Sequence, residues 1–211
     1  MPEDLSTNLA KPVAQPPAKR APGRPRSEEA RQSILRSTLK LLEKGSFTDL
    51  SIEAVAEDAE VSKATIYRWW PDKAALVADA FISTVVRELR FPDTGSVYTD
   101  MSHQMKQLVG VFRSRRGRIV SALLGGGQSD PGLLKAFRDR FLLPRRYEAY
   151  ETLRRGIRRG ELPQDLDLDL TLDSLYGPIY MRFLIRHSQL TEEFAEQVCR
   201  IVLDGVKISR R

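Results

Sequence analysis

The spacing of apolar and polar residues predicts two short helices and a tight turn within residues 51–73. Ser51 can cap a helix whose apolar residues recur every three or four positions, and Ala59-Glu60-Val61 interrupts that pattern. Ser62 can cap a second helix, in which Ile66 would turn inward. The side chains left facing outward on this second helix are Lys63, Ala64, Thr65, Tyr67 and Arg68. Two helices joined in this way predict a helix-turn-helix, a motif that binds DNA.

Helical spacing continues along the rest of the chain, and no convincing period-two strand interrupts it. Ser27 is expected to cap a first helix that ends at Gly45, and Pro71 to open a fourth helix that extends to about Leu89. Further helices are expected near residues 98–113, 116–124, 130–141, 144–159, 167–187 and 191–207. The Gly125–Gly127 run is interpreted as a flexible turn, because it lacks the strand and the Gly-Lys-Ser/Thr of a phosphate loop. The prediction is an all-α chain of about nine helices, with a three-helix helix-turn-helix domain followed by a C-terminal helical bundle.

The N-terminal residues are rich in proline and then become basic. Residues 1–23 contain several prolines and almost no large apolar side chains, so a disordered tail is predicted. Arg24 and Arg26 follow in an extended segment that suits the DNA minor groove, the alternative being a solvated basic linker. The predicted domains are the tail, a helix-turn-helix domain with a basic arm over residues 24–73, and a helical ligand-binding and dimerisation domain over residues 74–211.

Composition narrows the classes of function. The formal net charge of +6 favours a polyanionic partner, although acidic residues are nearly as numerous as basic ones. The single cysteine, Cys199, allows no internal disulfide framework and no cysteine-rich metal site, which indicates a reducing compartment and a cytoplasmic location. No apolar run is long enough to span a membrane, and no secretory signal is recognisable. An enzyme is disfavoured, because His103 and His187 are the only histidines and no catalytic, metal or cofactor arrangement is found; no cofactor is predicted.

A family resemblance sharpens this interpretation. The run VSKATIYRWWPDKAALV, residues 61–77, resembles the signature around the recognition helix of the TetR family of bacterial transcriptional repressors. The segments AFRDRFLLPRR, RRGEL and GPIYMRFL resemble a recurring C-terminal domain of that family. One departure is Glu60, where the family usually has glycine. The resemblance implies an omega-shaped homodimer that binds an inverted-repeat operator in double-stranded DNA and releases it when a small-molecule effector enters the C-terminal helices.

The predicted DNA contacts lie around the second helix of the motif. Its outward side chains are expected to contact base edges, with Tyr67 against either a base or a phosphate, while basic residues neutralise phosphates. Trp70 is expected to be buried against the fourth helix, and Trp69 either to pack on the DNA backbone or to lie half exposed. The predicted set is Arg24, Arg26, Ser51, Ser62, Lys63, Ala64, Thr65, Tyr67, Arg68, Trp69 and Lys73.

Two further sets are predicted in the C-terminal half. The family resemblance implies that the last two helices of each subunit form a four-helix dimer interface, and apolar stripes on those helices agree with it. The predicted interface residues are Leu172, Leu175, Ile179, Phe183, Phe194, Val198, Ile201 and Val202. The predicted walls of an effector pocket are Phe112, Leu123, Phe137, Phe141, Tyr147, Tyr176, Tyr180 and His187.

Two alternatives remain open for the C-terminal half. It can lack an effector pocket and serve only dimerisation or protein contacts. The arginines within residues 113–118 and 154–159 also suggest an anionic ligand, although such charge runs are usually solvated helix faces.

Overall fold

A computed structural model of the chain describes residues 27–45, 47–85 and 88–208, and the regular elements within these ranges are helices. The helices are α1 (Glu28–Lys44), α2 (Ile52–Asp58), α3 (Lys63–Tyr67), α4 (Lys73–Val85), α5 (Val97–Arg113), α6 (Arg115–Gly127), α7 (Pro131–Phe137), α8 (Leu143–Arg158), α9 (Leu168–Ile185) and α10 (Glu192–Ile208). A π-helical turn, Arg138–Leu142, makes α7 and α8 continuous, so the described ranges hold nine helical rods. The all-α prediction is confirmed, whereas the tail 1–23 and the arm residues Arg24 and Arg26 lie outside the described residues.

Three serines start the helices of the N-terminal domain, as the sequence predicts. The hydroxyls of Ser27, Ser51 and Ser62 each accept a hydrogen bond from the amide three residues along, at 3.3, 3.1 and 3.2 Å. Helix α4 begins at Lys73 rather than at the predicted Pro71, because the carboxylate of Asp72 accepts from the amide of Ala75 at 2.7 Å and caps the helix there. Helix α4 then packs against α1, α6 and α7.

The glycine run at residues 125–127 is not the flexible turn that was predicted. It forms the last turn of α6, and the chain reverses only after Gly127. A β-carbon on Gly127 would lie 3.3 Å from the Cα atom of Leu134, and one on Gly126 would lie 3.1 Å from the side chain of Leu133. The glycines therefore allow α7 to pack closely on α6, and their conformational freedom is not used for a turn.

The π turn between α7 and α8 replaces the helix break predicted near residue 142. Pro144 has no amide hydrogen, and in a regular α-helix its ring would collide with the carbonyl of Arg140. The wider turn removes this conflict, and the amide of Leu143 bonds to the carbonyl of Arg138 five residues earlier. The result is one long rod in which the wide turn faces α4.

The last two helices close the bundle. Asp167 caps α9 by accepting from the amide of Leu170 at 2.9 Å. Helix α9 continues through Pro178 and ends at Ile185; the next residue, Arg186, has a left-handed φ of 57°. Helix α10 packs along α5, and Cys199 is one of the side chains that it buries.

Candidate nucleic-acid interface and ligand cavity

The turn between α2 and α3 is closed by backbone hydrogen bonds around Glu60. The amide of Val61 donates to the carbonyl of Ala56 at 2.9 Å, and Glu60 has a φ of 53°. This pattern is a Schellman ending, in which the residue after the helix cap is left-handed and is usually glycine. Glu60 therefore occupies the glycine position of the motif, at an expected cost of about 1–2 kcal/mol for a residue with a β-carbon.

Helix α3 lies on the surface, anchored by the fully buried side chain of Ile66. Side chains on the face of α3 opposite Ile66 must therefore point outward. The side chains predicted to face outward thus form one row on the surface. Its exposed members are Lys63, Ala64, Tyr67 and Arg68. Thr65 is half-buried, and its hydroxyl lies 3.0 Å from that of Ser62.

The charged and aromatic members of this row are accessible to a partner. Tyr67 is 53% exposed. The ammonium of Lys63 lies 3.0 Å from a carboxylate oxygen of Glu53, and both side chains are exposed. That hydrogen bond is the main reason why the pKa of Glu53 is lowered. An exposed pair of this kind contributes little free energy, so Lys63 can exchange Glu53 for a phosphate.

The two tryptophans have different environments. Trp70 is 1% exposed, and its indole nitrogen donates to one carboxylate oxygen of Asp79 at 2.9 Å. The other oxygen of Asp79 accepts from Arg140 at 2.9 Å. Trp70 is thus buried between the DNA-binding domain and α4, as predicted. Trp69 is half-buried, with the guanidinium of Arg31 5.7 Å from the centre of its ring.

Lys73, predicted to bind phosphate, points into the protein. Its ammonium donates to the carbonyls of Phe47 and Leu50, both at 2.9 Å, and lies 4.3 Å from the centre of the Phe47 ring. These carbonyls belong to the loop between α1 and α2, whose acceptors need partners. Lys73 therefore holds that loop against α4, and the prediction that it binds phosphate is corrected.

A cavity of about 60 Å³ lies between α5, the π turn, α8 and α9. Its lining residues are Leu89, Phe91, Gln104, Leu108, Phe141, Leu142, Arg145, Arg146, Leu172, Tyr176 and Tyr180. A groove of about 420 Å³ adjoins it and shares the wall residues Leu142, Arg146, Tyr176 and Tyr180.

The uncharged polar groups of the cavity are few, and two of them are paired with each other. The hydroxyl of Tyr176 donates to the side-chain carbonyl of Gln104, which is itself buried. Burial is the main reason why the pKa values of Tyr176 and Tyr180 are raised, so both phenols are neutral at physiological pH. The structure thus supplies hydrogen-bonding groups without a charge at this end of the cavity.

The two arginines of the cavity wall are matched by carboxylates. Arg146 lies 2.7 Å from an oxygen of Asp169 and 2.7 Å from an oxygen of Asp173. Arg145 lies 3.0 Å from an oxygen of Glu148 and also donates to the carbonyl of Leu89. Both cations are therefore neutralised by the protein before any ligand enters.

The predicted pocket residues separate into three groups. Phe141, Tyr176 and Tyr180 line the cavity, while Phe137 lines the adjoining groove. Phe112 contacts Tyr180 edge-on from behind, and Leu123 is buried in the core. Tyr147 and His187 are both exposed and are corrections, because Tyr147 lies on the outer face of α8 and His187 follows the end of α9.

Sequence reasoning missed the polar member of the cavity, Gln104. A signal was present, because Gln104 is a polar residue among the buried Met101, Met105 and Leu108 on the inner face of α5. Arg145 and Arg146 of the cavity wall were missed because charged side chains are usually expected to face solvent.

Two family models match separate parts of the chain. The model of the bacterial regulatory proteins of the tetR family matches residues 34–80, which contain the whole helix-turn-helix. The tetracyclin repressor-like C-terminal domain matches residues 91–202, which is more than half of the chain. The chain belongs to the tetR family. It is therefore a helix-turn-helix transcriptional regulator, and regulators of this family bind DNA and act as dimers.

Individual relatives agree with this tetR-family membership. The HTH-type transcriptional regulator YdeS of Bacillus subtilis (strain 168) is 38% identical, over 88% of this chain and 93% of the relative. The crystal structure of the TetR family transcription regulator SCO0332 is 36% identical, with a TM-score of 0.73 over 84% of this chain and 98% of that chain. The regulator FadR from Bacillus subtilis, solved in complex with stearoyl-CoA, is 15% identical, with a TM-score of 0.66 over 83% and 98% of the two chains, and shares the fold alone.

The surface available for pairing differs from the predicted tetR-family interface. Five of the residues predicted for it are buried inside the protomer: Leu172, Leu175, Ile179, Phe183 and Val198. Phe194 and Val202 are half-buried, whereas Ile201 is 73% exposed. The exposed large apolar side chains of α9 are Leu170, Met181, Leu184 and Ile185. Residues of the apolar stripes thus divide between the protomer's own core and a second, outward face.

Within the residues that the structure describes, no helix combines the length and the apolar content needed to cross a membrane.

Proposed function

We propose that this chain is a homodimeric repressor that recognises an inverted-repeat operator through α3 and is released by a small-molecule effector. The row of exposed side chains above the buried Ile66 carries the DNA-binding part of the proposal. Lys63 and Tyr67 can reach base edges or phosphates, and the methyl groups of Ala64 and Thr65 suit the thymine methyl group. Arg68 is placed to neutralise phosphate. The proposed repressor would act in the bacterial cytoplasm, where the DNA lies.

Two substitutions test the recognition surface. Operator DNA is first selected from genomic fragments with purified protein, and its inverted repeat is identified. Tyr67→Ala and Lys63→Ala should each abolish the footprint while the protein stays folded, since both side chains are exposed. Glu43→Ala, at an exposed position on α1, is the matched control and should leave the footprint intact. Unchanged footprints for both variants would refute the assignment.

The arm is proposed to add contacts in the minor groove through Arg24 and Arg26. A chain without residues 1–26 should then bind operator more weakly and with a flatter salt dependence, because each lost phosphate contact lowers the slope by about 0.9. An unchanged slope would reduce the arm to a linker.

Specific binding by so short a helix is proposed to require two copies, one on each half-site. The exposed face of α9 and α10 supplies the apolar surface for this pairing, since exposed apolar patches usually mark interaction sites. Ile201→Glu should therefore give a monomer in sedimentation and lose operator binding. Arg200→Ala, at the adjacent exposed position, should remain dimeric. A dimeric Ile201→Glu protein with normal affinity would place the interface elsewhere.

The effector is proposed to be an apolar molecule without net charge. The cavity is mainly apolar, its phenols are neutral and its arginines are already matched by carboxylates. An anionic ligand would have to displace Asp169 or Glu148 from those arginines, whereas a neutral one needs only to bond to Tyr176 or Gln104. Rotation of the shared tyrosines would join the cavity to its adjoining groove, which brings the space within the roughly 300–1,000 Å³ of ligand pockets. That a fold neighbour binds stearoyl-CoA supports small-molecule binding by this architecture.

Matched compounds test both the effector and its charge. Thermal melting and operator release are measured with 2-naphthol and 2-naphthoate, which share a ring and differ in charge, and with a wider metabolite panel. The neutral compounds should act and the carboxylates should not. Tyr176→Phe should weaken the response, while Tyr147→Phe, which removes an exposed hydroxyl, should not. Melting and operator binding unaffected by all neutral compounds would favour the alternative function, a DNA-binding dimer without an effector pocket.

A further inference from the structure

Four arginines line one groove at the end of the bundle where α5 meets α6 and α9 ends. Arg113 and Arg118 come from the α5–α6 junction, and Arg182 and Arg186 from the end of α9. The groove has a volume of about 280 Å³ and contains no carboxylate among its described lining residues. Its floor includes Phe112 and Phe183, which are stacked with ring centres 4.1 Å apart.

Three of these guanidinium groups have no partner in the part of the chain that the structure describes. Arg113, Arg118 and Arg186 are exposed and form no hydrogen bond or ion pair there. Arg182 is held rigidly, because it donates to the carbonyl of Gln189 at 2.8 Å and lies 3.4 Å from the centre of the Phe194 ring.

Arginines elsewhere in the protein behave differently. Arg116, within the same run of sequence, pairs with Glu88 at 2.6 Å and donates to the carbonyl of Thr84 at 2.9 Å. Arg146 pairs with two aspartates at the cavity wall. The groove therefore concentrates unpaired positive charge in a chain that elsewhere often matches arginine with carboxylate.

One carboxylate near the groove moderates this charge. The pKa of Glu193 is lowered first by a hydrogen bond from its own backbone amide, then by the hydroxyl of Thr191, and to a smaller extent by the charge of Arg113. Glu193 is thus close enough to Arg113 to influence it, although no ion pair forms between them.

We propose that this groove is a binding site for a phosphate-bearing small molecule. Guanidinium groups match phosphate oxygens in pairs of hydrogen bonds, and three of them here are free to do so. The volume admits a small molecule but not a helix about 10–12 Å across. The amino end of α6, capped by Ser114, adds its positive dipole to the field of the arginines.

This site is separate from the DNA-binding surface and from the effector cavity. Near the other end of α6, a β-carbon on Gly126 would lie 3.8 Å from the side chain of Phe47 in the N-terminal domain. Thirteen residues of helix separate the two ends by roughly 20 Å. Phe112 separates the groove from the cavity, since its ring contacts Tyr180 on the far side. The inference therefore does not depend on the proposed effector.

The experiment is a calorimetric titration of the full-length dimer with inorganic tripolyphosphate and, in a second arm, with ATP. The double variant Arg113→Ala/Arg118→Ala removes two exposed guanidiniums and should weaken binding about tenfold for each lost charge-assisted contact. Arg158→Ala, an exposed arginine at the end of α8, is the matched control and should change little. Glu193→Gln should act in the opposite direction and tighten binding.

A DNA-surface variant separates this site from simple polyanion binding. Lys63→Ala/Arg68→Ala should leave tripolyphosphate binding unchanged, and hydrogen exchange should show protection at the start of α6 and the end of α9. Tighter binding of ATP than of tripolyphosphate would identify a nucleotide, and equal binding an inorganic phosphate chain. The proposal is overturned if tripolyphosphate does not bind, if the groove variant binds normally, or if the control or the DNA-surface variant loses as much affinity.

Discussion

A comparison of Lys73 with Lys63 tests which of the two lysines contacts DNA and which one stabilises the fold. In Lys73→Met the alkyl part of the side chain is kept, while the ammonium and its two 2.9 Å hydrogen bonds to the carbonyls of Phe47 and Leu50 are lost. Hydrogen bonds from a charged donor contribute about 1.5–3 kcal/mol each. The ammonium is half-buried, so solvent lowers the joint contribution, and we expect a loss of about 2–3 kcal/mol in the free energy of unfolding.

The assay combines thermal melting with the salt dependence of operator binding. For a chain of this length each kcal/mol lowers Tm by about 2–4 °C, so Lys73→Met should melt roughly 5–10 °C earlier. Its slope of log affinity against log salt should be unchanged, because no phosphate contact is lost. Lys63→Met is the matched control with the opposite pattern. Its Tm should hardly change, whereas the slope of its residual operator binding, measured at raised protein concentration, should fall by nearly two, about 0.9 for each of the two copies in a dimer.

The refuting result is equally specific. A Lys73→Met protein with normal Tm and a slope reduced by about two would show that this ammonium serves DNA, as the sequence alone suggested. The internal bonds of Lys73 would then be irrelevant to stability.

Three further predictions concern the backbone and the thiol. Glu60→Gly should raise the free energy of unfolding by about 0.5–1 kcal/mol, seen in thermal melting, because it relieves a left-handed φ of 53°; a lower Tm would contradict this. Gly117→Ala should destabilise strongly in urea, since its β-carbon would lie 2.0 Å from the carbonyl oxygen of Phe112, whereas Gly110→Ala has open space and should stabilise by about 0.5–1 kcal/mol. Burial raises the pKa of Cys199 to about 12, so a maleimide should label it at pH 8 only after denaturation; rapid native labelling would refute this.

Local signals in the sequence were sufficient for the recognition element. The capping serines, the interruption at Ala59–Val61 and the inward Ile66 are all set by spacing within one or two helical turns, and the structure places them as predicted. Trp70 was also predictable, because two adjacent aromatic residues just after a helix point in different directions, and at least one of them should be buried. The helix-turn-helix is therefore encoded almost entirely by residues close in sequence.

Long-range partners could not be predicted in the same way. The destination of the Lys73 ammonium depends on carbonyls more than twenty residues earlier in the chain, and spacing carries no information about them. The glycines at residues 125–127 suit a turn and a close helix contact equally well, and only the position of Leu134 decides between them. Helix α9 has apolar residues on most of its circumference, so periodicity could not separate its core face from the face left for a partner.

Asp79 connects the ligand cavity to the DNA-binding domain through two hydrogen bonds. One carboxylate oxygen accepts from Trp70 and the other from Arg140 of the π turn, whose next residue, Phe141, lines the cavity. Arg140 and Phe141 are adjacent in the π turn, so a ligand that displaces Phe141 is expected to move Arg140 with it. The carboxylate of Asp79 would follow, and α4 with it. Because the spacing of operator half-sites is fixed, such a movement of α4 in each subunit is expected, under the proposed function, to lower DNA affinity.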